Sequence, residues 1–279
     1  MHTIKLSMRI ALATLAFSFF VISCQKKFDP ASYKPAESFG GYATSNQVEA
    51  SNLVAHFSFE NNLIDSISNT AATNTGTTFT TGIKGQGLQI GLNNYAVFNP
   101  TSAIAGCQSI SLSFWVNTQE DTLGIQPFVS FVDSNQFWGN LDMFFDSQTP
   151  DSATVHVHTY TNSGSDVFLQ TWRLGNIWGS WKHYVLTYDA TTNNFILYVN
   201  GTQFGSIPQP GFGALNFKNF TAIVIGTMQF QTAPSLTDAT TSQGWCSYVL
   251  GEMDELRIYN KALTASDVSA LYNLENLGE

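Results

Sequence analysis

Short segments that alternate apolar and polar residues, separated by polar turns, constrain this chain more than any other feature. In residues 109–117 the side chains of Ile110, Leu112, Phe114 and Val116 point one way, and the intervening residues point the other way. A period of two is that of a strand with one buried face. Similar short segments follow one another along most of the chain, and only 11% of its residues are charged. The sequence therefore predicts an all-β fold, a sandwich or jelly roll.

A central hairpin and one helix complete the predicted architecture. Residues 181–188 and 195–199 are predicted strands joined by a polar turn, and Asn200-Gly201 is a strong turn signal after them. Near the C-terminus, Thr264 can cap a helix, and Asp267 three residues later gives an acidic variant of the capping box. We expect a short C-terminal helix packed on the sandwich.

The N-terminal residues have the pattern of a bacterial lipoprotein signal. Lys5 and Arg9 precede an apolar run at 10–22, and Ser23-Cys24 follows it as in a lipobox. Residues 1–23 are therefore predicted to be a signal peptide, and Cys24 to be the lipidated first residue of the mature chain. The alternative is an ordinary secretory signal with an incidental cysteine.

A tether is predicted to follow the lipid. Residues 24–50 contain prolines, glycines and small polar residues without a sustained apolar period, so they are predicted to be flexible, and 51–279 to form the domain. Gln25 and Lys26 lack the Asp of the simplest inner-membrane retention signal. We expect an outer-membrane location, with the face left open.

The charge of the chain excludes one class of partner. The formal net charge is -9, and removal of Lys5 and Arg9 with the signal peptide would make it -11. Binding to nucleic-acid phosphates needs clustered Lys and Arg, which this sequence lacks. Neutral glycans and cations remain compatible with an acidic surface.

Two cysteines remain besides Cys24. Export would allow Cys107 and Cys246 to pair, but their separation neither supports nor excludes a disulfide. The alternative is two small buried thiols.

Six ordered motifs indicate a family. They lie at 53–62, 65–69, 82–88, 109–116, 181–201 and 251–263. Together they resemble the bacterial laminin-G-like jelly-roll family of the concanavalin A-like lectin/glucanase superfamily. The turn at 65–69 departs from the family pattern because its glycine is missing. The resemblance implies a two-sheet antiparallel jelly roll, and it implies binding more often than catalysis.

The resemblance also implies a structural calcium ion. Members of the family often hold calcium with an Asp of the final strand and the loop after the first strand. This role falls on Asp254 and Asp65, with Asn62 and Asn69 as weaker candidates. Calcium takes six to eight oxygen ligands. The alternative is that Asp254 pairs with a basic side chain or caps a turn.

The acidic strand at 252–255 invites comparison with the glycoside hydrolases of the same superfamily, which use carboxylates at every second residue. Alternation places Glu252, Asp254 and Leu256 on one face and Glu255 on the other. Retaining hydrolysis needs two carboxyl groups about 5 Å apart on one side of the sugar. Hydrolysis by this strand is therefore disfavoured, and the chain is predicted not to be an enzyme.

Aromatic residues in Gly- and Asn-rich segments are the candidates for sugar stacking. The candidate ligand-binding residues are Phe137, Trp138, Asn140, Trp172, Trp178 and Trp245. The alternative for at least two of these tryptophans is a place in the core. The sequence favours a surface protein that captures a glycan or polysaccharide. A structural or adhesive module that binds another protein is the second hypothesis, and a glycoside hydrolase with a non-standard site is the third.

Overall fold

The structure is a computed structural model and describes residues 38–279. The predicted signal peptide, Cys24 and residues 24–37 of the predicted tether lie outside the described residues. Within residues 38–279, no helix combines the length and the apolar composition that crossing a membrane would require.

Residues 38–279 are mostly β-structure. The strands are β1 Leu53–Phe57, β2 Ile64–Asp65, β3 Thr70–Ala71, β4 Thr73–Thr75, β5 Thr78–Thr81, β6 Gln86–Ile90, β7 Tyr95–Phe98, β8 Ile110–Thr118, β9 Gln126–Asp133, β10 Leu141–Thr149, β11 Ser152–Tyr160, β12 Asp166–Gly175, β13 Lys182–Asp189, β14 Asn194–Val199, β15 Thr202–Pro208, β16 Phe220–Ile225 and β17 Gly251–Tyr259. The helices are α1 Ser102–Ala105 and α2 Ala265–Asn276, with 3-10 turns at Ser45–Gln47, Ala50–Asn52 and Gln229–Gln231.

Two antiparallel sheets form the sandwich. Sheet A has the order β15-β14-β13-β8-β17-β6-β5, with β1 also paired to β17, and sheet B has the order β12-β11-β10-β9-β16-β7-β4. The predicted all-β sandwich and the hairpin of β13 and β14 are both confirmed.

The alternation of β8 is confirmed by its burial. Ile110, Leu112, Phe114 and Val116 all belong to the core between the sheets. Phe114 lies 5.2 Å, between ring centroids, from Phe128 of sheet B. The apolar face of each sheet is thereby buried away from water. This burial of apolar surface is the main contribution that holds the two sheets together.

The predicted C-terminal helix is confirmed and covers the outer face of sheet A. The Thr264 hydroxyl accepts a hydrogen bond from the Asp267 amide at 3.2 Å, and the Thr264 amide donates to the Asp267 carboxylate at 3.0 Å. This capping box satisfies amides that the first helical turn leaves free. Val268 and Leu271 of this helix are fully buried against residues of sheet A such as Val185.

A buried polar network joins α2 to sheet A. The Arg257 Nε donates to Glu275 Oε1 at 2.7 Å, and another guanidinium nitrogen pairs with Glu255. The Trp115 indole also donates to Glu275, and His56 hydrogen-bonds to Glu255 at 2.9 Å. One buried arginine therefore links two buried carboxylates from different elements.

The two carboxylates of this network have opposite pKa shifts. Burial opposes ionisation of Glu255, but the hydrogen bond from His56 and the charge of Arg257 outweigh it and lower its pKa to about 2. Burial raises the pKa of Glu275 to about 7 against the same arginine charge. A single cation thus compensates one carboxylate more fully than the other.

The structure corrects the predicted flexible tether where the two overlap, at residues 38–50. Val48 is fully buried in a cluster with Leu271 and Leu274 of α2. The Ser45 hydroxyl donates to the carbonyl of Glu279 at 2.7 Å, and Phe39 and Tyr42 pack on the same cluster. A few anchoring residues hold this segment without any apolar period, so residues 38–50 are packed against the domain.

Cys107 and Cys246 are both free and buried. Cys107 lies in the core between the sheets, whereas Cys246 lies in a separate cluster with Phe144 and Phe230. Burial raises the pKa of the Cys107 thiol to about 11, so it is protonated at neutral pH. The predicted alternative of two buried thiols is the one found, and the disulfide is not formed.

Candidate functional site

A cleft of about 830 Å³ opens on the outer face of sheet B. Its floor is formed by Phe144 of β10, His156 of β11 and Phe168 of β12. Phe144 and His156 are cross-strand partners, whereas the adjacent Phe145 points into the core. The side chains of the floor therefore project away from the sandwich core, because successive residues of a strand face opposite sides.

Two tryptophans from loops complete the cleft. Trp138 comes from the turn between β9 and β10, and Trp245 comes from the long connection between β16 and β17. Their ring centroids lie 5.9 Å apart, and Trp138 stacks on Phe144 at 5.6 Å with only 8° between the ring planes. Trp245 is 42% exposed. These rings form an open aromatic surface of the kind on which the apolar face of a sugar packs.

The turn that carries Trp138 is fixed by Asp142. The carboxylate of Asp142 accepts a hydrogen bond from the Gly139 amide at 2.7 Å and another from the Ser130 hydroxyl at 2.5 Å. A Cβ at position 139 would lie 2.5 Å from Asp142 Oδ1 and 2.6 Å from the Phe131 carbonyl oxygen. Glycine is therefore required directly after Trp138 for the chain to approach this strand so closely.

The connection that carries Trp245 is held by the loop before β9. The Ile125 amide donates to the Trp245 carbonyl at 3.0 Å, and a Cβ on Gly124 would lie only 2.0 Å from the same oxygen. The Gln148 side chain in turn donates to the Gly124 carbonyl at 2.7 Å and accepts from the Asp121 amide at 2.8 Å. The position of Trp245 thus depends on contacts with two other segments.

Polar groups at the cleft are acidic or neutral. Glu120, Asp121 and Asp146 line it together with His156 and Gln170. Burial lowers the pKa of His156 despite the nearby carboxylate of Asp146, so the imidazole is neutral at pH 7. The arrangement offers hydrogen-bond acceptors beside aromatic rings, which is the chemistry of sugar hydroxyl recognition.

Three of the predicted ligand-binding aromatic residues lie at or beside the cleft. Trp138 and Trp245 both line the cleft. Phe137 does not line it: its ring is half-buried and packs against Phe230 at 4.8 Å and against Trp245 at 6.1 Å. Phe137 therefore supports the tryptophans from behind.

Three other predicted ligand-binding residues are structural. Trp172 is buried in the core between the sheets, as the alternative expectation for these rings allowed. Trp178 packs edge-to-face on Phe145 at 5.5 Å and donates its indole proton to the Thr149 carbonyl at 2.8 Å. Asn140 is buried. Gly- and Asn-rich flanks made these three residues candidates for ligand binding, but such flanks do not reveal which side of the sheet a side chain faces.

The Asn140 amide illustrates this correction. Its Nδ2 donates to the carbonyls of Val132 and Lys218 at 2.9 and 2.8 Å, and its Oδ1 accepts from the Lys218 amide at 2.7 Å. All the strong hydrogen-bonding groups of the side chain are engaged in joining two loops. Both amide protons are used, and the side chain is buried outside the lining of the cleft, so Asn140 is not available to a ligand there.

Sequence reasoning missed the floor of the cleft. Phe144, Phe168 and His156 come from three different strands and meet through the register of sheet B. The signal was weak, because Met143, Phe144 and Phe145 are all apolar and conceal the period of two. His158, two residues from His156, is fully buried between Asp142 and Asp166 at 3.2 and 3.0 Å.

The residues predicted for calcium do not fit the ion as a set. The two carboxylate oxygens of Asp65 accept four hydrogen bonds, from the His56, Ile67 and Ser68 amides and the Ser68 hydroxyl. Asn62 uses its side-chain oxygen to accept from the Ile64 amide at 2.9 Å. Among residues 38–279, no three His, Cys, Asp or Glu side chains are grouped as a metal site would need.

Asp254 is also engaged. Its carboxylate accepts from the amides of Lys84 at 3.1 Å and Glu255 at 2.8 Å. Burial raises its pKa to about 8, so it is largely protonated at neutral pH. The observed environment matches the alternative reading of Asp254 as a residue that holds a turn.

The acidic strand also departs from simple alternation. β17 has a bulge between Asp254 and Arg257, where Glu255 has a φ of 48°. Met253 and Leu256 both face the core, so Asp254 does not share a face with Leu256 as predicted. An extra residue in one strand shifts every later side chain by one position.

The carboxylates of this strand have separate surroundings. Glu252 lines a small polar hollow of about 400 Å³ with Asn117 and Gln119. Asp254 accepts its hydrogen bonds beside Lys84, and Glu255 is ion-paired within the network of Arg257. The three carboxylates do not meet in one cleft.

The comparisons with known proteins agree with this fold. Residues 90–269 match a laminin-G-like family described as the Concanavalin A-like lectin/glucanases superfamily. The chain belongs to this family. No curated protein sequence matches the chain.

Solved structures with the same fold include several binding domains. The binding domain of Paraclostridial Mosquitocidal Protein 1 superposes with a TM-score of 0.61 at 17% identity, covering 81% of this chain and 53% of that one. A second match is domain 4 of AbnA, an extracellular GH43 arabinanase from Geobacillus stearothermophilus, solved in complex with arabinotriose. It superposes with a TM-score of 0.55 at 22% identity, covering 79% of this chain and 98% of that one. A structure of botulinum neurotoxin type C, a toxin whose cell entry is described as dependent upon interaction with two ganglioside molecules, gives a TM-score of 0.56 at 14% identity. The match covers 81% of this chain and 51% of that one. This chain spans about half the length of the two toxin chains, and at these identities the likeness shows the fold alone.

Proposed function

We propose that this protein is a non-catalytic, carbohydrate-binding lipoprotein of the cell envelope. The observation that carries the proposal is the pair of tryptophans, 5.9 Å apart, at the mouth of an 830 Å³ cleft. A sugar ring packed on Trp245 would place its hydroxyls near the acceptors of Asp146 and Gln170. Each such aromatic contact buries apolar area, and the acceptors orient the ring.

Similar structures support a binding role. One of them was solved with arabinotriose, and another protein of this fold is described as interacting with gangliosides. The separate surroundings of Glu252, Asp254 and Glu255 give no pair of carboxyl groups for hydrolysis on that strand. The proposal therefore assigns capture of a glycan and not its cleavage.

The cellular location in the proposal rests on the sequence alone. A lipid on Cys24 would tether the domain to the outer membrane, which suits a protein that captures polysaccharide. Incorporation of labelled palmitate that is abolished by Cys24→Ser would support this anchor, and labelling that persists would contradict it.

The binding site is tested by affinity electrophoresis through gels that contain one neutral polysaccharide each, followed by titration calorimetry with the retained glycan. We expect Trp245→Ala to weaken binding by about tenfold or more, since burial of one aromatic ring contributes on the order of 1.5–3 kcal/mol. Phe204→Ala is the matched control, because Phe204 is 47% exposed but lies on β15 of sheet A.

Four outcomes contradict the proposal. Retention by no polysaccharide would contradict it, and so would equal affinity of the Trp245→Ala and Phe204→Ala variants. A pull-down that captures a protein through the same cleft, without any glycan, would replace glycan capture with the adhesive function. Release of reducing sugars by the purified protein would reinstate the hydrolase hypothesis.

A further inference from the structure

The side chains that line the cleft carry a net negative charge. Glu120, Asp121 and Asp146 line it, and no Lys or Arg is among its lining residues in the described part of the chain. His156 adds no positive charge at neutral pH, because burial lowers its pKa. Arg173, which is near the edge of the cleft, donates to the Ser147 carbonyl and to the hydroxyls of neighbouring residues and pairs with none of the three carboxylates. The cleft therefore presents uncompensated negative charge beside aromatic rings.

Asp121 is the most buried of the three acids. It is only 4% exposed. Its Oδ1 accepts from the Leu123 amide at 2.7 Å, and its backbone amide is held by Gln148 at 2.8 Å. Its Oδ2 is buried and has no hydrogen-bond donor within residues 38–279. A buried carboxylate oxygen without a donor is unfavourable, so a donor supplied by a ligand would stabilise this arrangement.

The aromatic rings favour the same kind of ligand. The faces of Trp138 and Trp245 carry the negative side of the indole quadrupole, which attracts cations more strongly than any other aromatic side chain does. An ammonium group close to these rings would meet Asp121 and Asp146 as well, and charge-assisted hydrogen bonds are the stronger ones. A uronate or sulfated sugar would meet three like charges instead.

We propose that the cleft selects saccharides that carry protonated primary amines, such as glucosamine oligomers, and rejects anionic glycans. This inference rests on the proposed function and gives its ligand class. The amine donates to the carboxylates of Asp121 and Asp146, and the sugar ring packs on Trp245.

The test compares three oligosaccharides of equal length by calorimetry at pH 6 and low salt. They are a glucosamine tetramer, the fully N-acetylated tetramer of the same backbone, and a galacturonate tetramer. We expect the glucosamine tetramer to bind about tenfold more tightly than its acetylated form, the magnitude of one cation–π contact with a charged hydrogen bond. Its affinity should fall as salt is raised, and the galacturonate tetramer should bind weakest.

Two variants locate the preference. Asp121→Asn and Asp146→Asn should each weaken binding of the glucosamine tetramer more than binding of the acetylated tetramer, and so reduce the ratio of the two affinities. Asp146 has 40% of its side chain exposed, so its variant is expected to fold even where Asp121→Asn does not. Asp238→Asn is the control, since Asp238 is exposed and does not line the cleft.

The outcomes separate the two proposals. Equal binding of the glucosamine and acetylated tetramers, or tighter binding of the acetylated or the galacturonate tetramer, with loss of both in Trp245→Ala, overturns the amine preference and leaves carbohydrate binding intact. Binding of no tetramer and of no polysaccharide overturns both. A preference for the glucosamine tetramer that Asp146→Asn and Asp121→Asn leave unchanged also overturns the assignment to this cleft.

Discussion

Replacement of Arg257 by methionine should destabilise the domain severely. Arg257 is fully buried and donates to Glu275 at 2.7 Å, to Asn46 at 2.9 Å, to Ser45 at 3.2 Å and to Glu255. Methionine approximates its apolar stem but leaves two buried carboxylates without their cation. Loss of one partner of a buried ion pair costs about 3–5 kcal/mol, and we expect this loss in the free energy of unfolding at pH 7.

The measurement is urea denaturation followed by tryptophan fluorescence. The exposed Arg173→Met variant is the control and should lose less than about 1 kcal/mol, because water screens its interactions. A loss below about 1 kcal/mol for Arg257→Met as well would refute the reasoning, since it would mean that water compensates the two carboxylates.

The pH dependence gives an independent check. The pKa of Glu255 is lowered from 4.5 to about 2, so its contribution to stability is complete above pH 4.5 and is lost as the pH falls through about 2. Arg257→Met removes one cause of that shift and leaves the hydrogen bond from His56. The difference in stability between wild type and variant that arises from Glu255 should therefore shrink as the pH is lowered from 4.5 towards 2.

Two further perturbations test the site and the metal. Gly139→Ala should lower the free energy of unfolding by about 1–3 kcal/mol and weaken glycan binding, because the new Cβ would lie 2.5 Å from Asp142 Oδ1. Thermal melting measures the stability, and calorimetry measures the binding. Gly244→Ala is the control, since no atom lies within 4 Å of its new Cβ. A Gly139→Ala variant as stable as that control would contradict the close approach. Chelation should leave the melting temperature unchanged, because Asp65 is already occupied by four hydrogen bonds; a fall that added calcium reverses would instead support the calcium prediction made from the sequence.

The strands and the C-terminal helix could be predicted from local pattern. The alternation of Ile110 to Val116 and the cap formed by Thr264 and Asp267 are properties of neighbouring residues, and both are found. The packed segment at 38–50 could not be predicted, because its order depends on Val48 meeting a helix more than 200 residues later in the chain. Pattern within a segment does not report such contacts.

The candidate site shows the same division. Trp138 and Trp245 could be selected because loop composition marked them. Phe144 and Phe168 could not, because they become neighbours of the tryptophans only through strand register. Trp172 was misplaced for the related reason that the flanking residues do not indicate which face of sheet B it occupies.

The sequence alone determined the fold class, since a period of two, repeated turn signals and a helix cap are encoded by neighbouring residues. Tertiary structure alone decided which aromatic rings meet in the cleft and which fill the core. It also decided that the acidic strand is divided by a bulge, and that Arg257 compensates carboxylates from two elements. The physical reason is that burial and charge pairing depend on which residues are neighbours in three dimensions, and those neighbours are often far apart in the chain.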